Sequence, residues 1–585
     1  MNELLLGGRR IKLQPAMSVG TGGEADVYDI GAGLALKVYK GPDHPDYKGL
    51  PEEQAAARER LRTRWEKLRD FPASLPPRVV APQQLAMDRS GRVAGYAMRL
   101  VPGAEPLLRW SDPSFRRAVP NAGVGPLFLD LHATVARLHE RGVVIGDFND
   151  LNVLVATGAA HLIDADSFQF GRYECLAYTE RFVDPLVCDR GLRPSRGHST
   201  ATDWYAYDTL LFQSLLLVHP YGGVLPGPGR PIDRTLNRVA VFDPRVRYPK
   251  AAVPWSALPD ELLHRFHETF VEDARAPFPR ALLDELRWTR CTSCGLNHAR
   301  AACPACQGAA VQARRQLVVI RGRVKATRLL DTDGEVAALS GARWLVYGGG
   351  EFRREDGRVV DLGPLRPGMR YFLDGERTIA AHRDEAFAFA DGRSYWERDG
   401  ALWRDGRLGD ERIGEVLAGQ TRLWAGPEFG FGFYRAGGVT VGFLFHPERR
   451  GINDGVPLPS IRGRVLDADC VFGPGRAWLL LLLEHGGKIF RRCVVIGGNG
   501  TVAASADAPA WLETVHGACA AGPHLFVPTD RGVVRVEESL SRTAEYAETE
   551  PFVDSASRLA AAPDGLLVAN RREILKLEVT QEATV

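Results

Sequence analysis

Asp147, Asn152 and Asp164 are three oxygen-bearing side chains that flank two short apolar runs, Val153-Leu154-Val155 and His161-Leu162-Ile163. The first two stand five residues apart, just after a helical pattern that ends in Ala136-Arg137-Leu138-His139. Phosphoryl transfer from a nucleoside triphosphate needs such a set. One carboxylate orients the attacking hydroxyl, while an amide and a second carboxylate hold Mg²⁺ against the phosphates. Mg²⁺ takes hard oxygen ligands and few of them from protein. Turns also collect Asp and Asn for conformational reasons, so the set needs partners elsewhere in the chain.

Those partners must come from elements that can cover and grip phosphates. Residues 17–40 read as strand, tight turn, strand, strand. The turn is glycine-rich, with Gly20, Thr21, Gly22 and Gly23 ahead of Ala25 and Val27. A dinucleotide fingerprint would open a helix after its glycines, but here Val27, Tyr28 and Ile30 continue as strand. The apolar strand Leu34-Ala35-Leu36-Lys37-Val38-Tyr39 carries one lysine. A buried lysine is costly unless it meets an anion; the alternative is an edge lysine whose stem snorkels to water. Pro51 starts a charged helix over residues 51–70, with Leu61, Trp65 and Leu68 as its apolar stripe. Glu53, Glu59 and Glu66 are candidates to pair Lys37. At about 100° per residue Glu53 falls on the side of Ala57 and Leu68, so Glu53 is the expected partner. Strands around Val79-Val80 and over residues 93–101 follow, with Met98 just before a hinge at Arg99, Leu100 and Val101.

From Val19 to about Leu286 the chain resembles a protein kinase. The pieces that carry the resemblance are Gly20-x-Gly22-x-x-Ala25-x-Val27, Lys37, Asp147-x₄-Asn152, Asp164 and Asp203, which opens the apolar helical stretch from Leu210 to Val218. The resemblance implies ATP held by the Gly20–Val27 loop and Lys37, with Met98 and Leu100 at the adenine end. It also implies Asp147 as the residue that orients the acceptor, and Asn152 and Asp164 as Mg²⁺ ligands. More narrowly, Gly22-Gly23-Glu24, Gly146-Asp147-x-Asn149-x-x-Asn152 and Asp164-x-Asp166-Ser167-Phe168-Gln169 resemble a bacterial group of kinase-domain proteins. Members of that group are often joined to helix-hairpin-helix or zinc-binding appendages. Their genes neighbour those of a von Willebrand A protein and a PP2C-type phosphatase, which this resemblance offers as partners.

The chain departs from the kinase pattern in several places. Ile145-Gly146 replaces the His-Arg before the catalytic aspartate, and Asn149 replaces a lysine that would stabilise the moving phosphoryl group. Electrostatic contributions of that kind are worth about 3 kcal/mol. Asp166 stands where the metal-binding loop has glycine, and is either a further metal ligand or a turn residue. Val183-Asp184-Pro185 is the nearest text to Ala-Pro-Glu. An active Ser/Thr-type kinase, an idle nucleotide-binding scaffold and a small-molecule phosphotransferase all fit this set.

Cys291-x₂-Cys294 and Cys303-x₂-Cys306 can close a tetrahedral Zn²⁺ site of structural type, with Gly295 and Pro304 suited to the knuckles; a disulfide pair is the alternative. Beyond residue 312 helical periodicity vanishes. Strand signals recur at Gln316–Ile320, Trp344–Tyr347, Ala386–Phe389, Arg422–Ala425, Ala477–Leu480, His524–Val527 and Gly565–Val568. Their spacing of about 28 to 54 residues suits a four-strand propeller blade. The reading is a β-propeller of about six or seven blades that docks a protein partner, with a pair of β-sandwiches as the alternative.

The expected architecture is therefore multidomain. An α+β bilobal kinase-like domain covers residues 1–288, a zinc ribbon 289–312, and an all-β domain 313–585. At 585 residues more than one core is needed, and 45% hydrophobic with 25% charged residues is ordinary globular composition. A net charge of +2, from 74 basic and 72 acidic residues, gives no argument for nucleic acid or an anionic membrane. No signal peptide and no membrane span are expected. Five scattered cysteines outside the cluster suit a reducing cytoplasm.

Overall fold

A computed structural model describes residues 3–226, 231–307, 318–406, 409–436 and 438–579. The chain forms two compact units, Met1–Val311 with Gly486–Lys488, and Gln312–His485 with Ile489–Val585. The expected boundary at 312/313 lies outside the described residues.

In the first unit, seven antiparallel strands form one sheet in the order β2-β1-β6-β7-β5-β4-β3. They are β1 (Glu3–Leu6), β2 (Arg9–Lys12), β3 (Ser18–Thr21), β4 (Ala25–Gly31), β5 (Leu34–Tyr39), β6 (Gln84–Met87) and β7 (Val93–Arg99). Sequence reading did not anticipate the β1–β2 hairpin, which pairs onto β6 through Leu5 and Leu6. The register puts Lys37 opposite both Val27 and Tyr96. Since side chains alternate along a strand, Tyr39 shares a face with Lys37. Helix α1 (Pro51–Arg69) lies against this sheet and begins, as expected, with proline in its first turn.

The rest of the first unit is mainly helical. Helix Thr200–Leu216 is buried along nearly its whole length, which fits its near-continuous apolar run. It packs with helix Val124–His139 and helix Asp260–Phe270 around one large core that includes Phe128, Leu131, Tyr207, Phe212 and Phe266. A three-stranded sheet, β8 (Glu105–Pro106), β9 (Val153–Ala156) and β10 (Ala159–Leu162), carries the Asp147 and Asp164 segments at its ends. The cysteine segment docks on this body. Ala299 donates its N–H to Ala257 O at 2.8 Å, and Arg300 Nε donates to Ser256 O at 2.5 Å.

The second unit contains only β-sheets and one short 3₁₀ turn among its described residues. Five four-stranded sheets and one two-stranded sheet follow in sequence from Glu335 to Tyr546. A five-stranded sheet joins both ends of the unit, because Val324–Asp331 pairs with Glu573–Val579. Each sheet packs on its sequence neighbour. Leu345, Phe352 and Leu373 share one cluster, Phe372 meets Phe387 edge-on, and Leu402, Leu423 and Phe443 share another. Phe431 with Leu479, Leu480 with Val527, Val533 with Leu559, and Ile574 with Val336 continue the series back to its start.

Candidate active site

The lysine strand and the carboxylate turn meet. Lys37 Nζ donates to Asp164 and, at 2.7 Å, to Asp166 Oδ1. Lys37 and Asp166 are almost fully buried, with 6% and 1% exposure. Burial opposes the charge on Lys37, yet the two carboxylates hold its pKa above the ordinary lysine value. Burial likewise opposes ionisation of Asp166, but Lys37 and Arg64 keep its pKa below the usual carboxylate range. The pair is therefore ionised. Asp164 has left-handed backbone geometry, φ 61°, which a short polar side chain tolerates better than most.

Glu53, the expected lysine partner, does not reach Lys37. The site-facing positions of α1 carry cations instead. Arg64 Nη1 donates to Asp166 O at 2.5 Å, and Lys67 Nζ to Ser167 O at 3.0 Å. Glu59 pairs with Arg62 and Glu66 with Arg172, both away from Lys37. Helical periodicity told which residues share a face, but not which face the sheet covers.

The Asp147 segment is fixed from several sides. Asp203, at the start of helix Thr200–Leu216, accepts from Ile145 N at 2.8 Å, Gly146 N at 2.9 Å and His139 Nε2 at 2.8 Å. Gly146 has φ 78°, and a Cβ there would lie 2.6 Å from Cys175, so no arginine fits that position. Ile145 is buried in the core, which accounts for the other replaced residue. Asn149 Nδ2 lies 3.0 Å from Asp147 Oδ1 and 3.0 Å from Thr179 Oγ1. Its Oδ1 accepts from Leu151 N and Asn152 N, so the side chain braces the loop as well. Thr179 is buried on Asn149, and its hydroxyl is a structural contact. Asn152 Nδ2 donates to Asp147 O at 3.0 Å, and Asn152 O accepts from Ile163 N, next to Asp164.

The glycine loop fits close approach by a ligand. Gly20, Gly22 and Gly23 have no positive φ. A Cβ at Gly23 meets nothing within 4 Å, and at Gly22 only Ala25 O at 3.5 Å. The fold itself does not require glycine there, whereas phosphates against the backbone do. Lys40 Nζ holds Gly22 O at 2.5 Å and Tyr47 OH holds Gly23 O at 2.7 Å, so the loop is anchored from behind. Thr21 pairs in register with Asp26. Val27, Met98, Leu100 and Ile163 join one apolar cluster around Ala35 and Tyr96, a fit for an adenine ring. Asn152 and Asp164 offer the hard oxygens that Mg²⁺ takes, and Lys37 the cation that phosphates need.

The four cysteine Sγ atoms of Cys291, Cys294, Cys303 and Cys306 lie within 4.8 Å of one another. Cys291–Cys306 and Cys294–Cys303 are 3.7 and 3.5 Å apart. Tetrahedral zinc with bonds of about 2.3 Å would place its sulfurs about 3.8 Å apart, so the set fits. Backbone amides of Cys294 and Ser293 draw the Cys291 thiol down to about 6, toward the thiolate that metals bind.

No helix among the described residues is long and apolar enough to cross a membrane. No family model matches the chain. The chain is 28% identical over 283 residues to Protein kinase YegI of Escherichia coli K12, covering 44% of this chain and 41% of that one. It is 27% identical over 287 residues to the YegI of strain O157:H7, covering 45% and 42%. It is 29% identical over 277 residues to Serine/threonine-protein kinase PkaB of Streptomyces coelicolor, covering 44% and 60%. The chain thus spans about half the length of the curated relatives it matches. The lysine–carboxylate meeting and these similarities agree: the chain is similar to bacterial protein kinases.

Proposed function

We propose that the chain is an ATP- and Mg²⁺-dependent protein kinase of Ser/Thr type that works in the cytoplasm in bacterial signalling or stress. The observation that carries this reading is the meeting of Lys37 with Asp164, from segments 127 residues apart. On this reading Lys37 is the phosphate-binding cation and Asp164 the metal-binding carboxylate, near a glycine loop whose Gly22 and Gly23 lack side-chain neighbours. Asp147 orients the acceptor hydroxyl, and Asn152 and Asp164 hold Mg²⁺. Asn149 supplies a neutral amide where a lysine would supply charge, which favours a slow enzyme or an idle scaffold over a fast kinase. Labelled ATP with Mg²⁺ and candidate acceptors tests the reading. Wild type should transfer phosphate, and Asp147→Asn should lose at least about 100-fold in rate while still binding ATP. Transfer by Asp147→Asn at the wild-type rate would overturn it.

The cysteine cluster, on this reading, holds one structural zinc. The second unit is a seven-bladed propeller whose five-stranded sheet closes the ring. The cyclic series of packed sheets supports that reading. It docks a protein partner, for which a von Willebrand A protein or a PP2C-type phosphatase is a candidate, since a tethered substrate reaches about mM effective concentration. Deleting residues 313–585 should spare ATP binding and reduce phosphorylation of the partner far more than autophosphorylation. Equal losses would favour a merely structural role.

A further inference from the structure

Asp166 is engaged on every side by protein donors. Oδ1 accepts from Lys37 Nζ and Tyr96 OH, both at 2.7 Å. Oδ2 accepts from Tyr39 OH at 2.8 Å and faces Arg64 Nη1 at 3.6 Å. A carboxylate has about four lone-pair directions; Lys37, Tyr96 and Tyr39 occupy three, and the Arg64 guanidinium faces the carboxylate beyond hydrogen-bond distance. With two cations already beside it, the carboxylate is a poor place for a metal ion. This arrangement also explains why the position is not glycine: the side chain is fixed by three elements, β5, β7 and α1.

Protein kinases ordinarily hold this lysine with a glutamate from the helix that packs on the sheet. Here that helix turns Arg64 and Lys67 toward the site, and its glutamates lie elsewhere. Arg60 and Arg64 also reach Glu24 of the glycine loop at 3.2 and 3.3 Å. We propose that Asp166 is the positioning residue for Lys37, doing from the metal-binding turn what a helix glutamate does in other kinases. This rests on the kinase reading above and deepens it. Because Asp164 and Asp166 share one turn, the lysine and the metal ligand are set by a single element. The helix then contributes through Arg64, as a brace on Asp166, and not through a carboxylate.

A double-mutant cycle on the full chain tests this, with ATP affinity measured by calorimetry with and without Mg²⁺. Asp166→Asn should weaken ATP binding about tenfold, as expected for losing a hydrogen bond to a charged group. The loss should be alike with and without Mg²⁺, and should largely vanish in a Lys37→Ala background, since residues acting through one another are not additive. Glu53→Gln, Glu59→Gln and Glu66→Gln should each leave affinity unchanged within about twofold. Any of these results would overturn the proposal: an undiminished Asp166→Asn effect in Lys37→Ala, an effect confined to Mg²⁺, or a tenfold loss in any glutamate variant. The glutamate variants alter the surface of α1 and can overturn the proposal even if Asp166→Asn does not fold. A wild type that binds ATP but phosphorylates nothing would count against the kinase reading alone. Unchanged ATP affinity in a folded Asp166→Asn would count against this proposal alone.

Discussion

Asp184 and Arg275 form a bidentate pair, with Nε–Oδ2 at 2.7 Å and Nη2–Oδ1 at 2.8 Å. Arg275 is held in turn by the carbonyls of Thr269 and Ala274 and lies over the Tyr205 ring at 4.6 Å. The pair ties the end of the segment after Asp164 to the helical body, the task for which the sequence offered only Val183-Asp184-Pro185. Both side chains are at least nine-tenths buried. Removing one partner of such a pair leaves an uncompensated charge and costs about 3–5 kcal/mol. Asp184→Ala should lower the unfolding free energy by about that amount and expose residues 171–184 to proteolysis. Chemical denaturation with mapped limited digestion would check both.

Asp203 should matter to rate more than to binding. Its carboxylate anchors Ile145 N and Gly146 N, directly before Asp147. Asp203→Ala frees that loop while leaving Lys37 and the glycine loop in place. A displacement of about 1 Å at a reacting group can cost 10²-fold. We expect kcat to fall about 10- to 100-fold with KM for ATP within about twofold, read from steady-state kinetics.

Lys67 gives a pH signature. Burial, then the nearby Arg64, lowers its pKa from 10.5 to about 8. Its folded value lies below its unfolded one, so its favourable contribution is complete above the unfolded pKa and is lost as pH falls through about 8. Lys67→Met avoids that loss. Its stability advantage over wild type should be largest near neutral pH, at most about 3 kcal/mol, and should shrink as pH rises from about 8 past 10. Thermal melts of both proteins across that range would show the curves converging, and a constant difference would contradict the account.

The cysteine cluster should carry about one zinc per chain in reduced protein, measured by elemental analysis. Cys294→Ser with Cys303→Ser should remove it. The docked Ala299–Arg300 segment should then lose hydrogen-exchange protection before the helical core does. Zinc should also be released as the pH drops, because the metal competes with protons for thiolates.

Much of the candidate site was legible because its chemistry is local in sequence. Asp147 and Asn152 share one loop, the glycines share one turn, and Lys37 stands alone in an apolar strand. The environment of Asp166 was not legible. It needs Tyr39, Tyr96 and Arg64, brought together by strand register and by the face on which α1 packs, and neither is a property of a single segment. The expectation for Glu53 failed for the same reason. In the second unit the strand signals at 344–347, 422–425 and 524–527 fall within observed strands. The pairing of Val324–Asp331 with Glu573–Val579 could not be read from them, because periodicity carries no information about which distant strands are partners.

That pairing also dictates an order of events during synthesis. Arg328 and Glu573, ion-paired across the two strands, are 245 residues apart. At about 5–20 residues per second a ribosome takes roughly 12–50 s to deliver the second after the first. For that interval Val318–Arg321 and Val324–Asp331 pair with each other, but the outer edge of Val324–Asp331 stays open. By then the first unit has been made except for Gly486–Lys488. A newborn chain therefore passes through a stage in which nearly all of the first unit has been made and the β half is still unlatched. Chaperone dependence during translation should be concentrated in that half.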